Sequence, residues 1–319
     1  MISKNIALQI DPLNSLHYDS DSTLLIAKEF QQRGYELYYY EPTELLWQSG
    51  KLFAHVTAIT IQRQECKKTA PKTLIPLESF AIILIRQIPP FNQEYLSTTY
   101  LLETLKNVFF LNHPQAIRDV AEKLSILHFP QSIPKTIVCN SLEDAEAFAR
   151  KQQICIAKPL YGCRGSDVIK ITMDEPESLG ELTGMISKHG FIMMQEFLSK
   201  VTADGDKRVI IIDGVITGAI QRMPKKGDFR TNSGLGGTVY KTVLTAKEKI
   251  VSEKVALYLK KKNILLAGID LLEEKLLEIN VTSPTCLVAL NQLLGLKSEK
   301  IIVDHIEKKI KAGILESSA

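Results

Sequence analysis

The chain has few cysteines and histidines for its length, and neither type forms a recognisable pattern. Five cysteines lie scattered among 319 residues, an odd number without a CxxC pair: Cys66, Cys139, Cys155, Cys163 and Cys286. A disulfide framework or a zinc site would show paired, regularly spaced cysteines, so the sequence signals neither. The six histidines are also scattered, and they offer no pair for a histidine-based catalytic dyad.

Long apolar runs and an excess of one charge are missing as well. No apolar run approaches the ~18 residues of a membrane span, and the strand-like N-terminal run is too short for a signal-peptide core. With 39 basic and 36 acidic residues, the net charge of +3 gives no basic stripe typical of nucleic-acid binders. We therefore expect a cytoplasmic protein that binds neither membranes nor nucleic acid. Its 45% hydrophobic and 24% charged composition is that of a soluble globular protein, and its length suggests two or three domains or subdomains.

The first 120 residues alternate strand-like and helical segments. Apolar runs such as NIALQID and FAIILIR alternate with helical spacing, and a hairpin is predicted to turn at Ser49-Gly50. This alternation predicts an open α/β sheet. Ligands bind such sheets outside the carboxyl ends of the strands, where Asp11, Arg86 and Asn112 lie.

Arg86 closes one buried strand and precedes the stiff segment QIPPF. A guanidinium held at a strand end suits bidentate capture of a carboxylate. The alternative is a surface arginine that extends from the strand end into solvent.

The residues beyond 120 have a different character. AIRDVAEKLSILHF is predicted to form one helix with Lys123 in its interior, and ICIAKPLYGCRGSDVIKI predicts strand, glycine-containing loop and strand. Gly162 and Gly165 would let backbone N–H groups turn towards an anion, with Lys158 supplying a positive charge. The loop lacks the Walker form, which opens a helix, and indicates a phosphate-covering flap. A plain hairpin turn is the alternative.

Arginines mark the next hairpin and the loop after it. Arg208 and Arg222 flank a turn at Asp213-Gly214 and would lie near one another if a bulge intervenes. Arg230 lies with Asn232 in a polar, glycine-rich loop. Three guanidinium groups suit transfer of a phosphoryl group to an anionic acceptor, whereas ordinary surface charge is the alternative.

A second hairpin, formed by LLAGIDLL and LLEINVTSPT, carries the most unusual polar face. Folding it about Glu274 places Asp270 opposite Glu278 and Gly268 opposite Asn280. Carboxylates directly opposite one another repel, so we expect a hard cation such as Mg²⁺ or Mn²⁺ between them. A solvated strand face is the alternative. The same register predicts Leu272 opposite Leu276 and an apolar face formed by Ile269, Leu271, Leu277 and Ile279.

The order of these parts resembles the ATP-grasp fold. The phrases DGDKRV, RTN before a double glycine, QRGYELYYYE, ILIRQIPPF, LNHPQAIRDVAEKL and above all EINVTSPTC make residues 4 to 312 similar to bacterial glutathione synthetases. The resemblance implies an α/β protein with an N-terminal open α/β substrate domain (1–120) and an ATP-grasp domain (121–319). The latter would have two α+β subdomains that clasp ATP: 121–200 with the flap, and 201–319 with the catalytic residues.

The resemblance also implies roles for individual residues. The two lysines match contacts to ATP phosphates, the strand after the flap offers its edge to adenine, and an aspartate lies where ribose is held; the ATP-binding candidates are Lys123, Lys158, Gly162, Gly165, Ser166, Gln195, Glu196, Leu198 and Asp206. The metal candidates are Asp270, Glu278 and Asn280. The candidates around the dipeptide and the transferred phosphoryl group are Arg86, Arg208, Arg222, Arg230, Asn232, Ser283 and Thr285.

The implied reaction joins γ-glutamylcysteine and glycine, with ATP as co-substrate and Mg²⁺ or Mn²⁺ as cofactor, in a homotetramer. The sequence departs from the family in the flap (YGCRG for roughly DGMGG), at Ile88, where an acid is usual, and at CLVAL, which replaces a segment with an Arg-Glu pair. Two alternatives therefore stay open: another ATP-grasp carboxylate–amine ligase with a different acceptor, and a nucleotide-binding regulatory protein without turnover.

Overall fold

The N-terminal part of the chain folds around a sheet with a parallel centre. The computed structural model describes residues 4–62, 65–163, 165–231 and 237–317. The strands of this sheet are β1 (Asn5–Gln9), β2 (Glu36–Tyr40), β3 (Leu45–Gln48), β4 (Lys51–Gln62), β5 (Glu65–Lys68), β6 (Thr73–Pro76), β7 (Ile82–Ile85) and β8 (Phe109–Leu111). Their order is β3-β4-β2-β1-β7-β8, with β5 and β6 also paired to β4. The helices are α1 (Ser22–Gln32), α2 (Gln93–Glu103) and α3 (Pro114–Asp119).

Local sequence accounts for these elements. All four residues of β7 are buried and apolar, as expected for a central parallel strand covered on both faces. Asp21 caps α1 by accepting the N–H groups of Thr23 and Leu24. The β3–β4 hairpin turns at Ser49-Gly50, as predicted. The carboxyl ends of β1, β7 and β8 therefore place Asp11, Arg86 and Asn112 at one edge of the sheet.

Two antiparallel sheets follow. The first has the order β11-β10-β12-β9 and is formed by β9 (Thr136–Cys139), β10 (Ile154–Pro159), β11 (Ile169–Thr172) and β12 (Ile192–Glu196), with α4 (Leu142–Gln152) and α5 (Ser178–His189). The second has the order β15-β14-β13-β16-β17. Its elements are β13 (Asp206–Ile212), β14 (Val215–Met223), β15 (Thr238–Lys241), β16 (Leu266–Leu272) and β17 (Lys275–Asn280), with α6 (Val201–Asp204), α7 (Ala246–Lys261), α8 (Leu287–Leu294) and α9 (Ser298–Ser317).

Alternate residues of β13 pack into two different hydrophobic cores. Val209 and Ile211 join the core beneath α7, whereas Ile210 and Ile212 join a core that contains α1, α8, α9 and the first sheet. The last sheet is therefore fixed to the N-terminal part by shared apolar burial. Each helix within the described ranges is too short or too polar to cross a membrane.

The single helix predicted around Lys123 is wrong. Helix α3 ends at Asp119, and a 3₁₀ helix spans Leu124–His128. Between them, the carbonyl of Glu122 accepts the N–H of Ile279 at 3.0 Å. The chain thus pairs with β17 where a helix would have used that carbonyl internally, and Lys123 lies at the break.

The hairpin of β16 and β17 has the predicted register at its polar residues but not at its turn. Asp270 pairs with Glu278 and Gly268 with Asn280, as predicted. The turn is a two-residue one, Glu273-Glu274, with both φ angles positive, as in type I′ turns. A register shift next to Asp270 absorbs the difference. Leu272 consequently pairs with Lys275 rather than with Leu276, which joins the core. Leu277 was predicted to belong to the apolar face, but it lines the cleft described below.

Candidate active site

One cleft of about 830 Å³ collects residues from all three sheets. Every candidate residue within the described ranges lines it. From the N-terminal part and the second sheet these are Arg86, Lys123, Lys158, Gly162, Gly165, Ser166, Gln195, Glu196 and Leu198, and from the third sheet and the segment after it Asp206, Arg208, Arg222, Arg230, Asp270, Glu278, Asn280, Ser283 and Thr285. Asn232 lies outside the described residues.

Two arginines hold Asp270. Arg208 donates from Nε at 2.5 Å and from Nη2 at 2.9 Å, and Arg222 Nη2 lies 3.1 Å from the same carboxylate. The expected proximity of the two arginines depended on a bulge, and a register shift between Ile210 and Ile211 supplies it, so both arginines reach this carboxylate. Burial opposes ionisation of Asp270, but the arginines outweigh that cost and lower its pKa to about 2. The positive charge expected next to this carboxylate is thus already supplied by the protein.

Lys123 contacts Glu278, and Lys158 contacts the residue before it. Lys123 Nζ lies 3.2 Å from its carboxylate and donates to the carbonyl of Gly162 at 2.6 Å. Lys158 Nζ lies 3.4 Å from the carbonyl oxygen of Leu277. Burial lowers the pKa of Lys158 to about 8, although the negative charge of Glu278 acts in the opposite direction. Two cations therefore flank the cleft where anionic phosphate groups could be held.

The donor set on β16 and β17 fits a hard cation. Asp270, Glu278 and Asn280 bring oxygen atoms from one sheet face to the cleft, and oxygen-only sets suit Mg²⁺ and Mn²⁺. The amide nitrogen of Asn280 donates to Gly268 O and to Asp270, both at 3.3 Å, which fixes the orientation of the amide. A Cβ at Gly268 would lie 2.9 Å from Cδ of Arg208, so a glycine leaves room for that arginine.

The glycine flap (residues 160–166) contacts the turn that follows Arg86. Phe91 N donates to the carbonyl of Tyr161 at 3.2 Å, and Cys163 Sγ donates to the carbonyl of Pro89 at 2.8 Å. The flap of the second sheet thus touches the N-terminal part of the chain. Arg164 lies outside the described residues.

The strand β12, which pairs with the strand leading into the flap, also lines the cleft. Gln195 donates to Thr136 Oγ1 at 3.0 Å. Glu196 accepts the N–H of Lys135 at 3.0 Å, and its bonds to Lys135 lower its pKa although burial opposes this. Asp206, on β13, accepts Nε of Arg222 at 2.8 Å and the hydroxyl of Thr231 at 2.6 Å. Polar residues of two sheets therefore line the same cleft.

Arg86 is buried rather than on the surface. Only 3% of it is exposed. It donates from Nε to Thr23 Oγ1 at 3.1 Å and from Nη2 to Pro284 O at 2.7 Å, while Nη1 has no hydrogen-bond partner among the residues that the structure describes. Within the described ranges no carboxylate forms an ion pair with it, and burial lowers its pKa to about 10. Ser283 donates to the carbonyl of Arg86 at 3.0 Å, so this buried cation is fixed beside the TSPT segment.

Arg230 and Thr285 occupy the rim. Arg230 is 37% exposed and forms an ion pair with Asp228 at 2.8 Å. Thr285 Oγ1 lies 3.7 Å from the sulfur of Cys286. Arg230 therefore does not join the pair of arginines at Asp270, although it lines the same cleft.

Sequence reasoning missed Glu122, which precedes Lys123. Its Oε1 accepts the N–H groups of Val281 and Thr282 and the hydroxyl of Thr282, at 2.8, 3.0 and 2.8 Å. The partners lie about 160 positions away along the chain, so no local spacing could have revealed this contact. The only signal was a carboxylate next to a candidate lysine.

Solved structures show the same fold. A D-cycloserine synthetase superposes with a TM-score of 0.67 at 14% identity, covering 95% of this chain and 99% of that one. A D-alanyl-alanine synthetase A from Vibrio cholerae gives 0.64 at 15% identity, covering 97% and 99%. At these identities the likeness supports the fold alone. Together with the order of the sheets, it shows a mixed α/β protein in which an N-terminal domain precedes an ATP-grasp domain.

Sequence comparisons are more specific. The model of the prokaryotic glutathione synthetase N-terminal domain matches residues 5–118, and that of the ATP-grasp domain of the same family matches residues 122–295. The glutathione synthetase of Bradyrhizobium diazoefficiens is 33% identical over 317 residues, covering 96% of this chain and 98% of the relative. The glutathione synthetase of Escherichia coli K12 is 31% identical over 313 residues, covering 96% and 98%. The chain belongs to the prokaryotic glutathione synthetase family, whose members are ATP-grasp ligases.

Proposed function

We propose that this ATP-dependent carboxylate–amine ligase joins γ-glutamylcysteine and glycine to form glutathione, ADP and phosphate. One observation carries the proposal: a single cleft holds Lys123 and Lys158 opposite the oxygen donors of β16 and β17, in a chain of this family. Cations beside oxygen donors suit the transfer of a phosphoryl group from ATP to a carboxylate.

ATP would lie between the second and third sheets. The ammonium groups of Lys123 and Lys158 are suited to its phosphates, and the glycine flap, with Gly162, Gly165 and Ser166, would cover them. Gln195, Glu196 and Leu198 would contact adenine and Asp206 the ribose, as in the family's pattern.

Asp270, Glu278 and Asn280 would hold the divalent cation, Mg²⁺ or Mn²⁺. When bound, the cation would neutralise negative charge on the phosphates. Arg208 and Arg222 fix the carboxylate of Asp270 through their ion pairs. With Arg230, these arginines would also supply positive charge to the phosphoryl group during its transfer.

The dipeptide would lie at the carboxyl edge of the first sheet. Nη1 of Arg86, which has no partner in the described part of the chain, suits a carboxylate of γ-glutamylcysteine. Ser283, Thr285 and Asn232 would contact the rest of the dipeptide.

The chemistry needs no nucleophile from the protein. An oxygen of the dipeptide carboxylate attacks the γ-phosphorus of ATP, the bond to the bridging oxygen of ADP breaks, and an acyl phosphate forms. The amine of glycine then attacks the acyl carbon, loses a proton, and phosphate leaves. The protein contributes orientation and charge neutralisation.

The organisation around this site is part of the proposal. We take residues 1–120 as the substrate domain and 121–319 as the ATP-grasp domain, divided at 200. Following the family pattern, we propose a cytoplasmic homotetramer whose partners are small molecules rather than nucleic acid or membranes.

Release of ADP tests the proposed reaction. We expect release only when γ-glutamylcysteine and glycine are both present with ATP and Mg²⁺. Release with a different amino acid in place of glycine would identify a ligase with another acceptor. No release with any acceptor, together with measurable ATP binding, would overturn catalysis in favour of a binding protein.

A further inference from the structure

Glu122 holds the segment that connects the candidate metal ligands to the candidate dipeptide site. One carboxylate oxygen accepts three hydrogen bonds from Val281 and Thr282, all between 2.8 and 3.0 Å. The carbonyl of the same residue accepts the N–H of Ile279 at 3.0 Å. Glu122 thus contacts the chain both immediately before and immediately after Asn280.

Asn112 holds the same segment from the opposite side. Its amide nitrogen donates to Val281 O at 2.8 Å and Leu266 O at 2.7 Å, and its oxygen accepts the N–H groups of Leu265 and Leu266, both at 2.9 Å. Both backbone polar groups of Val281 therefore bond to side chains, where a strand would use a neighbouring strand.

The position of this segment gives the contacts a consequence for the reaction. Val281 and Thr282 separate Asn280, a candidate metal ligand, from Ser283, which bonds to Arg86. In a site that acts by orienting its substrates, rigid placement of the reacting groups contributes a large part of the rate enhancement. A shift of these two residues would move both sides of the cleft relative to one another.

We propose that Glu122 is a positioning residue for the ligation reaction, acting through the backbone of Val281 and Thr282. The catalytic consequence of this inference rests on the proposed function. The clamp itself, meaning the three hydrogen bonds from Val281 and Thr282 to Oε1 of Glu122, does not. The clamp depends on an acceptor oxygen at the right place rather than on negative charge, because all three bonds end on Oε1.

Two conservative variants separate acceptor geometry from charge. Glu122→Gln keeps a carbonyl oxygen at the same distance from the backbone, so we expect kcat within about 10-fold of wild type. Glu122→Asp keeps the charge but is one methylene shorter, and Glu122→Ala has no acceptor; we expect both to lower kcat by about 100-fold or more, in line with misplaced reacting groups. An active Glu122→Asp with an inactive Glu122→Gln would overturn the proposal.

Hydrogen exchange reports the clamp without turnover. The amides of Val281 and Thr282 should exchange at least about 10-fold faster in Glu122→Asp and Glu122→Ala than in wild type, and at nearly the wild-type rate in Glu122→Gln. Unchanged exchange in the Asp variant would overturn the clamp. If wild type makes no glutathione, the proposed function fails while the exchange measurement still decides the role of Glu122.

Glu248 provides a matched control. It is 3% exposed and accepts Thr245 N and Lys207 Nζ, both at 2.7 Å, but it does not line the cleft. Glu248→Ala should lower the melting temperature with kcat within about 3-fold of wild type. If Glu122→Ala fails to fold, Thr282→Val removes only the hydroxyl bond and should still lower kcat more than Glu248→Ala does. Equal kcat in those two variants would overturn the positioning role.

Discussion

Replacing Arg86 by methionine tests the assignment of the dipeptide site. Methionine is also unbranched and flexible, but it carries no charge. The change removes the bonds to Thr23 and Pro284. It also removes the cost of burying a cation that has no carboxylate partner among the described residues. We expect a strong effect on dipeptide binding and a small one on the stability of the protein.

The magnitudes follow from the contacts. Burial lowers the pKa of Arg86 from 12.5 to about 10, which corresponds to about 3 kcal/mol against the charged form. Two hydrogen bonds from a charged donor contribute about 1.5 kcal/mol each, so gain and loss nearly cancel, and the melting temperature should change by only about 3 °C or less. Losing a charge-assisted pair to the dipeptide carboxylate should cost about 3 kcal/mol, or about 100-fold in KM.

Steady-state kinetics with each substrate varied in turn give the answer. The KM for γ-glutamylcysteine should rise about 100-fold while that for ATP stays within about 3-fold. Arg33→Met is the control, because Arg33 is ion-paired with Asp304 and Glu307 away from the cleft, and neither KM should change. Equal increases for both substrates in Arg86→Met would refute the assignment.

Three further predictions concern the proposed ATP and cation site. Burial lowers the pKa of Lys158 to about 8. If Lys158 binds a phosphate of ATP, as proposed, it does so best when protonated, so the KM for ATP should rise as pH increases above 8, and Lys158→Arg should flatten this rise. A flat wild-type profile would contradict the proposed role. Glu278→Gln should abolish most activity. It should also lower the melting temperature by about 2–4 °C, because Lys123 loses its ion pair at 3.2 Å. A variant at least as stable as wild type would show instead that repulsion between the carboxylates of Asp270 and Glu278 dominates. Gly162→Ala places a Cβ 2.8 Å from Cγ of Pro159, so it should displace the carbonyl of residue 162, which Lys123 contacts. We expect the KM for ATP to rise by about 10-fold. An unchanged KM would argue against a role for the flap in ATP binding.

Local patterns predicted the parts of the site that lie on regular elements. The period of two along a strand placed Asp270 opposite Glu278 and Gly268 opposite Asn280, and the structure has both pairs. The predicted register at the turn was wrong. A turn centred on Glu274 and a two-residue turn followed by a register shift give the same pairing at the polar residues, so the alternation could not distinguish them. Side-chain periodicity therefore determined which polar residues meet, although the geometry of the turn did not follow from it.

Contacts between distant parts of the chain could not be predicted in this way. The break in the helix before Lys123 depends on β17, whose Ile279 takes the carbonyl of Glu122. A helical pattern in sequence carries no trace of such a partner. The burial of Arg86 likewise depends on Pro284, about 200 positions away, so its place at a strand end was predictable but its enclosure was not.

The two carboxylates of the hairpin have unequal environments, which bears on how the site would hold a cation. Asp270 is 5% exposed and bound by two arginines, so its position is fixed but its charge is largely neutralised. The side chain of Glu278 is 25% exposed and has one lysine at 3.2 Å. Asp270 would therefore mainly fix the position of a cation bound near both carboxylates, whereas Glu278 would provide most of the net electrostatic attraction. If Lys123 contacts a phosphate of ATP, as proposed, it neutralises less of the charge of Glu278, which then attracts the cation more strongly, so binding of ATP and of the cation should favour one another.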